Sequence, residues 1–220
     1  MLRVETHCHT IYSKDSLVRP ENLLKACEAK GIDRVVISDH NTTRGAFEAQ
    51  KLDPQRVIIG EEILTTRGEL LAAYMTEEIP PGLTPKETIS RLRDQGAFIS
   101  VSHPFDILRS GHWQEKDLLE IMPLVDAIEV FNARCMSPDF NRQASEFAEQ
   151  HNLPGTVGSD AHGAYELGRA AMLLPDFEDA RSLIDVLPQV KYETRLSSPF
   201  VRLTSRYAVL YKKLFKPEVP

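Results

Sequence analysis

Short β-branched runs alternate with amphipathic helical segments along most of the chain, and that alternation constrains the fold more than any other feature. LRVET (2–6), RVVIS (34–38), RVIIG (56–60), ELLAAYM (69–75), AFISVS (97–102), DAIEVFN (126–132), PGTVGS (154–159) and KYET (191–194) read as strands. Between them lie helical patterns at 20–31, 84–96, 137–152 and 177–187, with shorter ones in TTRGAFEAQKL and KDLLEIMPL. Pro20 and Gly31 bracket the first helix, and Thr84 with Glu87 starts the 84–96 helix as a capping box. Buried strands alternating with helices predict a parallel sheet with helices outside it. About seven or eight strands suit a barrel or an open doubly wound sheet.

A length of 220 residues fits one domain that buries its own core. No repeat, low-complexity tract or linker interrupts it, and the proline-rich EIPPGLTP (78–85) reads as a loop. The barrel or sheet is expected over 1–195. Residues 196–220 differ: Leu203, Tyr207, Leu210 and Leu214 share one helical face beside Arg202, Arg206 and Lys213. The expectation is a basic amphipathic helix that packs its apolar stripe on the rest and leaves its lysines in water. Cys8, Cys27 and Cys135 are odd in number and form no C-x-x-C pair, which favours a reducing compartment over a cysteine-built zinc site. No signal segment or long apolar run is present, so a cytoplasmic protein without a membrane span is expected. The net charge of −6 gives no support for a long nucleic-acid track.

The reactive side chains follow the strands. His7 and His9 come after the first, Asp39 and His40 after the second, Glu61 and Glu62 after the third, His103 after FISVS, and Asp160 with His162 after GTVGS. Parallel strands deliver the residues at their C-terminal ends to one face, so ligands distant in sequence converge. Imidazole with carboxylate and without thiolate suits Zn, Mn or Fe in a hydrolytic site. The candidates exceed what one zinc takes, which suggests two or three ions sharing carboxylates. Cys8 sits between two candidate ligands and is expected to face the other way as a small apolar residue. Asp39 is expected to orient a ligand rather than to be one. His112 and His151 read as an exposed loop histidine and a helix-terminal one. Asn132, Arg134 and Arg169 follow strands at the reactive end, where an arginine fork can take phosphate oxygens, so these three are the substrate-binding candidates.

ETHCHTIYSKDS, VISDHNT, IIGEEI, VSHPFD and TVGSDAH, in this order, resemble the motifs of the PHP family (polymerase and histidinol phosphatase domain). The resemblance implies a distorted β/α barrel of about seven strands, TIM-barrel-like, with up to three divalent metal ions at its C-terminal face. It places His7, His9, Glu62 and Asp160 on one ion, Glu62 and His103 on a second, and His40, His162 and Asp15 on a third. Glu62 is chosen over Glu61 because the family pattern is glycine, any residue, glutamate, and Gly60 fixes the count. Asp15 and Glu69 stand where many members carry histidine, which shifts preference towards harder ions such as Mn. The implied activity is metal-dependent phosphate-ester hydrolysis by a metal-bound hydroxide, with Asp160, His40 and His162 as its catalytic residues. Small phosphomonoesters, nucleotides and oligonucleotide ends are all admissible substrates, with nucleic acid entering only as substrate. A non-catalytic metal-binding module and a hydrolase of C–N or lactone bonds are the alternatives.

Overall fold

The computed structural model describes residues 1–216. Nine strands form one mixed sheet in the order β7-β6-β5-β4-β3-β2-β1-β8-β9. The strands are β1 (Leu2–Cys8), β2 (Arg34–Ile37), β3 (Val57–Leu64), β4 (Glu69–Ala73), β5 (Phe98–Val101), β6 (Ala127–Asn132), β7 (Gly155–Gly158), β8 (Ala170–Leu174) and β9 (Lys191–Thr194). The sheet curls until the end of β7 meets β1: Cys8 and Ala161 form a parallel bridge, and His9 N donates to Ala161 O at 2.8 Å. Seven strands thus make a nearly closed barrel, the distorted β/α barrel expected. The surplus over seven is β8, which pairs antiparallel with the N-terminal half of β1, and β9, which pairs antiparallel with β8.

Two details depart from an all-parallel sheet. β4 pairs antiparallel with both β3 and β5. Its cause is local: only 65–68 separate β3 from β4, too few residues for a crossover, and Thr65 N closes the turn on Gly68 O at 2.9 Å. The first residue of β4, not its last, therefore lies at the C-terminal end of β3. The second detail is a register shift in β1 between Glu5 and Cys8. Val4 packs in the barrel interior while Cys8 packs with the outer helices. A bulge re-phases the strand between them, as bulges near functional sites do.

Outside the barrel lie α1 (Pro20–Ala29), α2 (Arg44–Leu52), α3 (Pro85–Asp94), α4 (Glu115–Ile121) and α5 (Pro138–His151). Their apolar faces build one core with the outer strand residues, through Leu23, Ala46, Ile89, Leu118 and Phe147. The Thr84 hydroxyl caps α3 by accepting from Glu87 N. A second core fills the barrel floor, where Val4, Val36, Ile58, Phe98 and Val157 meet Phe177 and Leu183 of the segment around α6 (Ala180–Val186).

The C-terminal helix α7 (Val201–Phe215) corrects one expectation. Its leucine stripe does not pack on the barrel: Leu203, Tyr207, Leu210 and Leu214 are 56%, 60%, 54% and 65% exposed. Val201 and Ala208 are buried instead, with Ser205 and Lys212 half-buried on the same side. A small-residue arc lets the helix approach closely, and Arg134 and Lys212 supply hydrogen bonds to hold it. The last four residues of the expected 196–220 segment lie outside the described residues. No helix among the described residues is long and apolar enough to cross a membrane.

Candidate metal centre

The bulge in β1 decides the site. Glu5 points outward, where Ser159 N (2.9 Å) and Gly168 N (3.0 Å) donate to its buried carboxylate. Thr6 lies inward, bonded to Val157 O. Unbroken alternation would send His7 outward with Glu5. The register shift turns His7 and His9 to the interior and Cys8 to the outer core, where its thiol meets Val36 O. Asp15 comes from the following loop. His40 follows β2 and bridges to Glu62 inside β3. Glu69 opens β4, and the antiparallel turn puts it beside His103, which follows β5. Asp160 and His162 follow β7. His103 and Asp160 both adopt positive φ, 22° and 51°, a conformation non-glycine residues avoid unless their surroundings impose it.

The structure brings all nine expected metal residues together. His7 Nε2 lies 3.3 Å from Glu62 Oε2 and 3.6 Å from Asp160 Oδ1. His9 Nε2 lies 3.4 Å and 3.2 Å from the same two oxygens. His103 Nε2 lies 2.9 Å from Glu62 Oε1 and 3.5 Å from Glu69 Oε2. Asp15 Oδ2 lies 3.1 Å from His162 Nε2 and 3.6 Å from His40 Nε2, while His40 Nδ1 faces Glu62 Oε2 at 3.0 Å.

These residues fit divalent ions. Two ligands at about 2.0–2.2 Å from one ion are themselves roughly 3.0–3.6 Å apart, the range of most of these separations. The buried ring nitrogens His7 Nε2, His9 Nε2 and His162 Nε2, and the oxygens Glu62 Oε2, Asp160 Oδ1 and Asp15 Oδ1, have no hydrogen-bond partner. Such orphaned buried groups are costly unless something coordinates them. His7, His9 and Glu62 can close on one ion, as can His9, His40 and His162, or His40, Glu62 and Glu69.

A second layer fixes the rings. His7 Nδ1 donates to Glu129 Oε1 (3.0 Å), and the other oxygen of Glu129 takes His103 N (2.9 Å) and Asn132 Nδ2 (3.0 Å). His9 Nδ1 pairs with Ser13 Oγ (3.1 Å), whose hydroxyl donates to Asp39 (2.7 Å). His162 Nδ1 donates to Asp160 O (2.9 Å). With each Nδ1 engaged, Nε2 is left as the free donor atom, the arrangement metal-binding histidines require. Asp39 orients a ligand as expected, and Cys8 stays out of the site.

Burial disfavours charge on every buried member, and neighbours decide the outcome. His7 overcomes burial through Glu62, Asp160 and Glu129 and is held well above its usual value. Burial, with the charges of His162 and His40, pushes His9 well below. Glu62 is held well below the carboxylate range against burial, chiefly by His7 and His40. Asp160 is held down likewise, by Arg109 first and then His7.

The structure gives the three substrate-binding candidates other partners. Arg134 is buried with its guanidinium spent: Nε lies 3.0 Å from Glu166 Oε2, and Nη2 donates to Val201 O (2.7 Å) and Ser205 Oγ (2.9 Å). It fastens α7. Asn132 is buried, with its amide donating to Glu129 and Asp160 and its oxygen accepting from Arg134 N, so it positions carboxylates. Arg169 presses its charge on Lys30, outside the cluster. Glu61 faces away from the cluster and accepts from Ile79 N at 3.0 Å. His112 Nδ1 donates to Arg109 O and stays outside it.

Sequence reasoning missed Arg109, in the loop after β5. Its Nη2 lies 2.6 Å from Asp160 Oδ2, and its Nε lies 3.1 Å from the fully buried Asp106. The side chains through which the cluster reaches solvent are Asp15 (18% exposed), His40 (13%), Glu69 (13%) and Arg109 (18%). Glu129 was missed as well, because a carboxylate inside a strand gives no signal of which face it takes.

Comparison with known proteins agrees with this architecture. Residues 5–92 match the model of the PHP domain and residues 138–190 that of the PHP-associated region. The chain is 38% identical over 173 residues to an uncharacterized protein, MJ0417, of Methanocaldococcus jannaschii, covering 77% of this chain and 69% of the relative. Its fold matches a two-domain protein of Bacteroides vulgatus described as containing a predicted PHP-like metal-dependent phosphoesterase. That match has TM-score 0.71 and 17% identity, over 94% of this chain and 69% of the other. A candidate metal-dependent phosphoesterase of Bifidobacterium adolescentis aligns with TM-score 0.64 and 18% identity, over 84% and 96% of the two chains. Motif order, barrel and converging ligands lead to one assignment: the chain belongs to the PHP family of metal-dependent hydrolases.

Proposed function

We propose that this chain hydrolyses phosphate esters at the cluster, using two or three divalent ions of the Mn, Zn or Fe type. The observation that carries the reading is the convergence of unpartnered Nε2 and carboxylate oxygens on a shared Glu62, with Arg109 beside them. Ions bound there would lower the pKa of a water and neutralise phosphoryl charge. His7, His9, Glu62 and Asp160 would hold one, Glu62, Glu69 and His103 a second, and Asp15, His40 and His162 a third. More carboxylate than usual favours a hard ion such as Mn for the sets that include Asp15 and Glu69.

The remaining work falls to the protein. Arg109, held by Asp106 and Asp160 through Nε and Nη2, keeps Nη1 for a phosphate at the mouth. The partly exposed Asp15 and His40 line the approach of the ester, and His40 and His162 are placed to manage a proton there. Arg109 also favours phosphate over a neutral C–N or lactone substrate, which carries no anion for it to bind. The partner is a phosphorylated small molecule or a nucleic-acid end.

The test is metal analysis of the purified protein, followed by Mn- and Zn-loaded assays on panels of phosphate esters, amides and lactones. Phosphate release that drops at least a hundredfold in Asp160→Ala and His40→Ala is expected. Turnover confined to amides or lactones, or phosphate release unchanged in those variants, refutes the reading.

A further inference from the structure

The chemistry of the cluster leaves α7 unexplained. From 195 to 216 the sequence holds Arg195, Arg202, Arg206, Lys212, Lys213 and Lys216 and no Asp or Glu, in a chain of net charge −6. Both ends of α7 are tied to the rim of the site. Near its start, Arg202 Nη2 lies 3.0 Å from Asp106 Oδ2, the same oxygen that Arg109 Nε approaches, and Arg109 holds Asp160. Near its end, Lys212 Nζ donates to the carbonyls of Ile11 and Ser13, in the loop that carries Asp15. The helix therefore runs along the mouth, from the Asp160 side to the Asp15 side.

Its flanks are distinct. Val201, Ser205, Ala208 and Lys212 face the barrel. Thr204 lies on the flank away from Arg202, bonded to the Tyr165 hydroxyl at 3.1 Å. At 3.6 residues per turn, Arg206 and Lys213 fall within about 40° of Arg202, on the mouth flank. The row Arg202, Arg206, Lys213 covers about 16 Å of helix. Arg206 and Lys213 are exposed, and neither forms an ion pair among the described residues.

We propose that α7 is a rail for a polyanionic substrate: the ester to be cut sits at the cluster, and the phosphates that follow it lie along Arg202, Arg206 and Lys213. The substrate class this fits is the end of a single-stranded oligonucleotide. A small monoester needs no such row, and the recessed cluster admits a free strand end more readily than a duplex. The acidic balance of the whole chain does not oppose this, because the cations are segregated on one helix beside the mouth. The proposal rests on the phosphate-ester reading above.

The experiment compares wild type with the double variant R206A/K213A, both metal-loaded, on a 5′-phosphorylated single-stranded hexanucleotide, a nucleoside bisphosphate and 4-nitrophenyl phosphate. The expected result is a fall of at least tenfold in kcat/KM for the hexanucleotide, carried by KM, against less than twofold for 4-nitrophenyl phosphate. The salt dependence of hexanucleotide KM should flatten by about 1.4 in log–log slope, as two phosphate contacts are removed. Equal losses on both substrates, no loss on either, or the full loss already on the bisphosphate overturns the rail. If wild type cleaves no phosphate ester, the phosphoesterase reading has failed on its own, and fluorescence anisotropy with labelled hexanucleotide reads the rail directly. A tenfold weaker complex in R206A/K213A then supports it. Unchanged hexanucleotide affinity, with loss of binding to phosphatidylserine vesicles instead, overturns it in favour of a lipid surface.

Discussion

Gly158, the last residue of β7, is where the site tolerates no side chain. A Cβ there would stand 2.4 Å from His7 Cβ and 2.7 Å from Glu129 Oε1. Ordinary contact begins at 3.4 Å, so Gly158→Ala must separate His7 from β7 by about 1 Å. Metal ligation tolerates about 0.2 Å. The cost to folding should be modest, about 1–3 kcal/mol, as for other overpacked interiors. In a chain of this length that lowers Tm by roughly 2–12 °C. The cost to the first ion should be far larger, because His7 and its partner Glu129 are displaced together. Circular dichroism should show a folded barrel, while metal analysis after dialysis should show at least one ion fewer than wild type. EDTA, which should lower wild-type Tm, should then shift the variant less. A folded Gly158→Ala protein with the full metal content and an unchanged EDTA response would refute both the packing argument and the place of His7 in the cluster.

Burial pushes the Glu61 carboxyl up to about 8. A folded-state value above the unfolded one makes the native state bind the extra proton, so stability present below about pH 4.5 declines as pH rises towards 8, by at most about 1.4 kcal/mol per pH unit. Glu61→Gln should flatten that decline in urea titrations between pH 5 and 8, and an unchanged slope rejects it. Arg134→Ala should destabilise by about 3–5 kcal/mol, because it strands the buried Glu166 carboxylate, and should open the 195–200 linker to proteolysis. A stable variant with only a raised KM would restore Arg134 as a substrate ligand. Against burial, His7 and His40 are both held well above the usual imidazole range by Glu62 and its neighbours, so at neutral pH they carry protons that ions must displace. Mn affinity should therefore rise with pH, and calorimetry in two buffers of different ionisation enthalpy should detect proton release; zero release counts against it.

How far the sequence reaches is clear from particular residues. His7, His9, His40, Glu62, His103, Asp160 and His162 were legible because each stands at or near a strand's C-terminal end, where a parallel sheet gathers its termini. Glu69 lies at that same end for a different reason, the four-residue turn that reverses β4. Turn length is local information, and it was readable from TTRG once β3 and β4 were taken as neighbours. The β1 bulge was not readable, because it depends on how β1 pairs with β2 and meets Ala161, contacts made 29 and more residues away. Arg109 and Arg134 were indistinguishable as loop arginines. What separates them is Glu166, which captures one, and Asp106 with Asp160, which hold the other at the mouth. In α7 the periodicity gave a leucine stripe, yet the arc the barrel covers is the small-residue one, because Arg134 and Lys212 reward close approach.

The two halves of the barrel interior explain why the chemistry is confined to one end. The floor is filled by Phe177 and Leu183 packed against Val4, Val36, Ile58 and Phe98. Directly above that apolar floor lie Glu129, Glu62 and Asp160, all fully or almost fully buried. Carboxylates this deep are sustained only by neighbouring cations, because desolvation is otherwise prohibitive. His7, His40 and Arg109 supply part of that charge, with His7 held by Glu129 and Arg109 by Asp106. Divalent ions would supply the rest while sparing the imidazoles their protons. The apolar floor thus does more than fill space: it sets the low-polarity surroundings in which Glu62 can be shared among several positive charges, which is the condition for a multi-ion site.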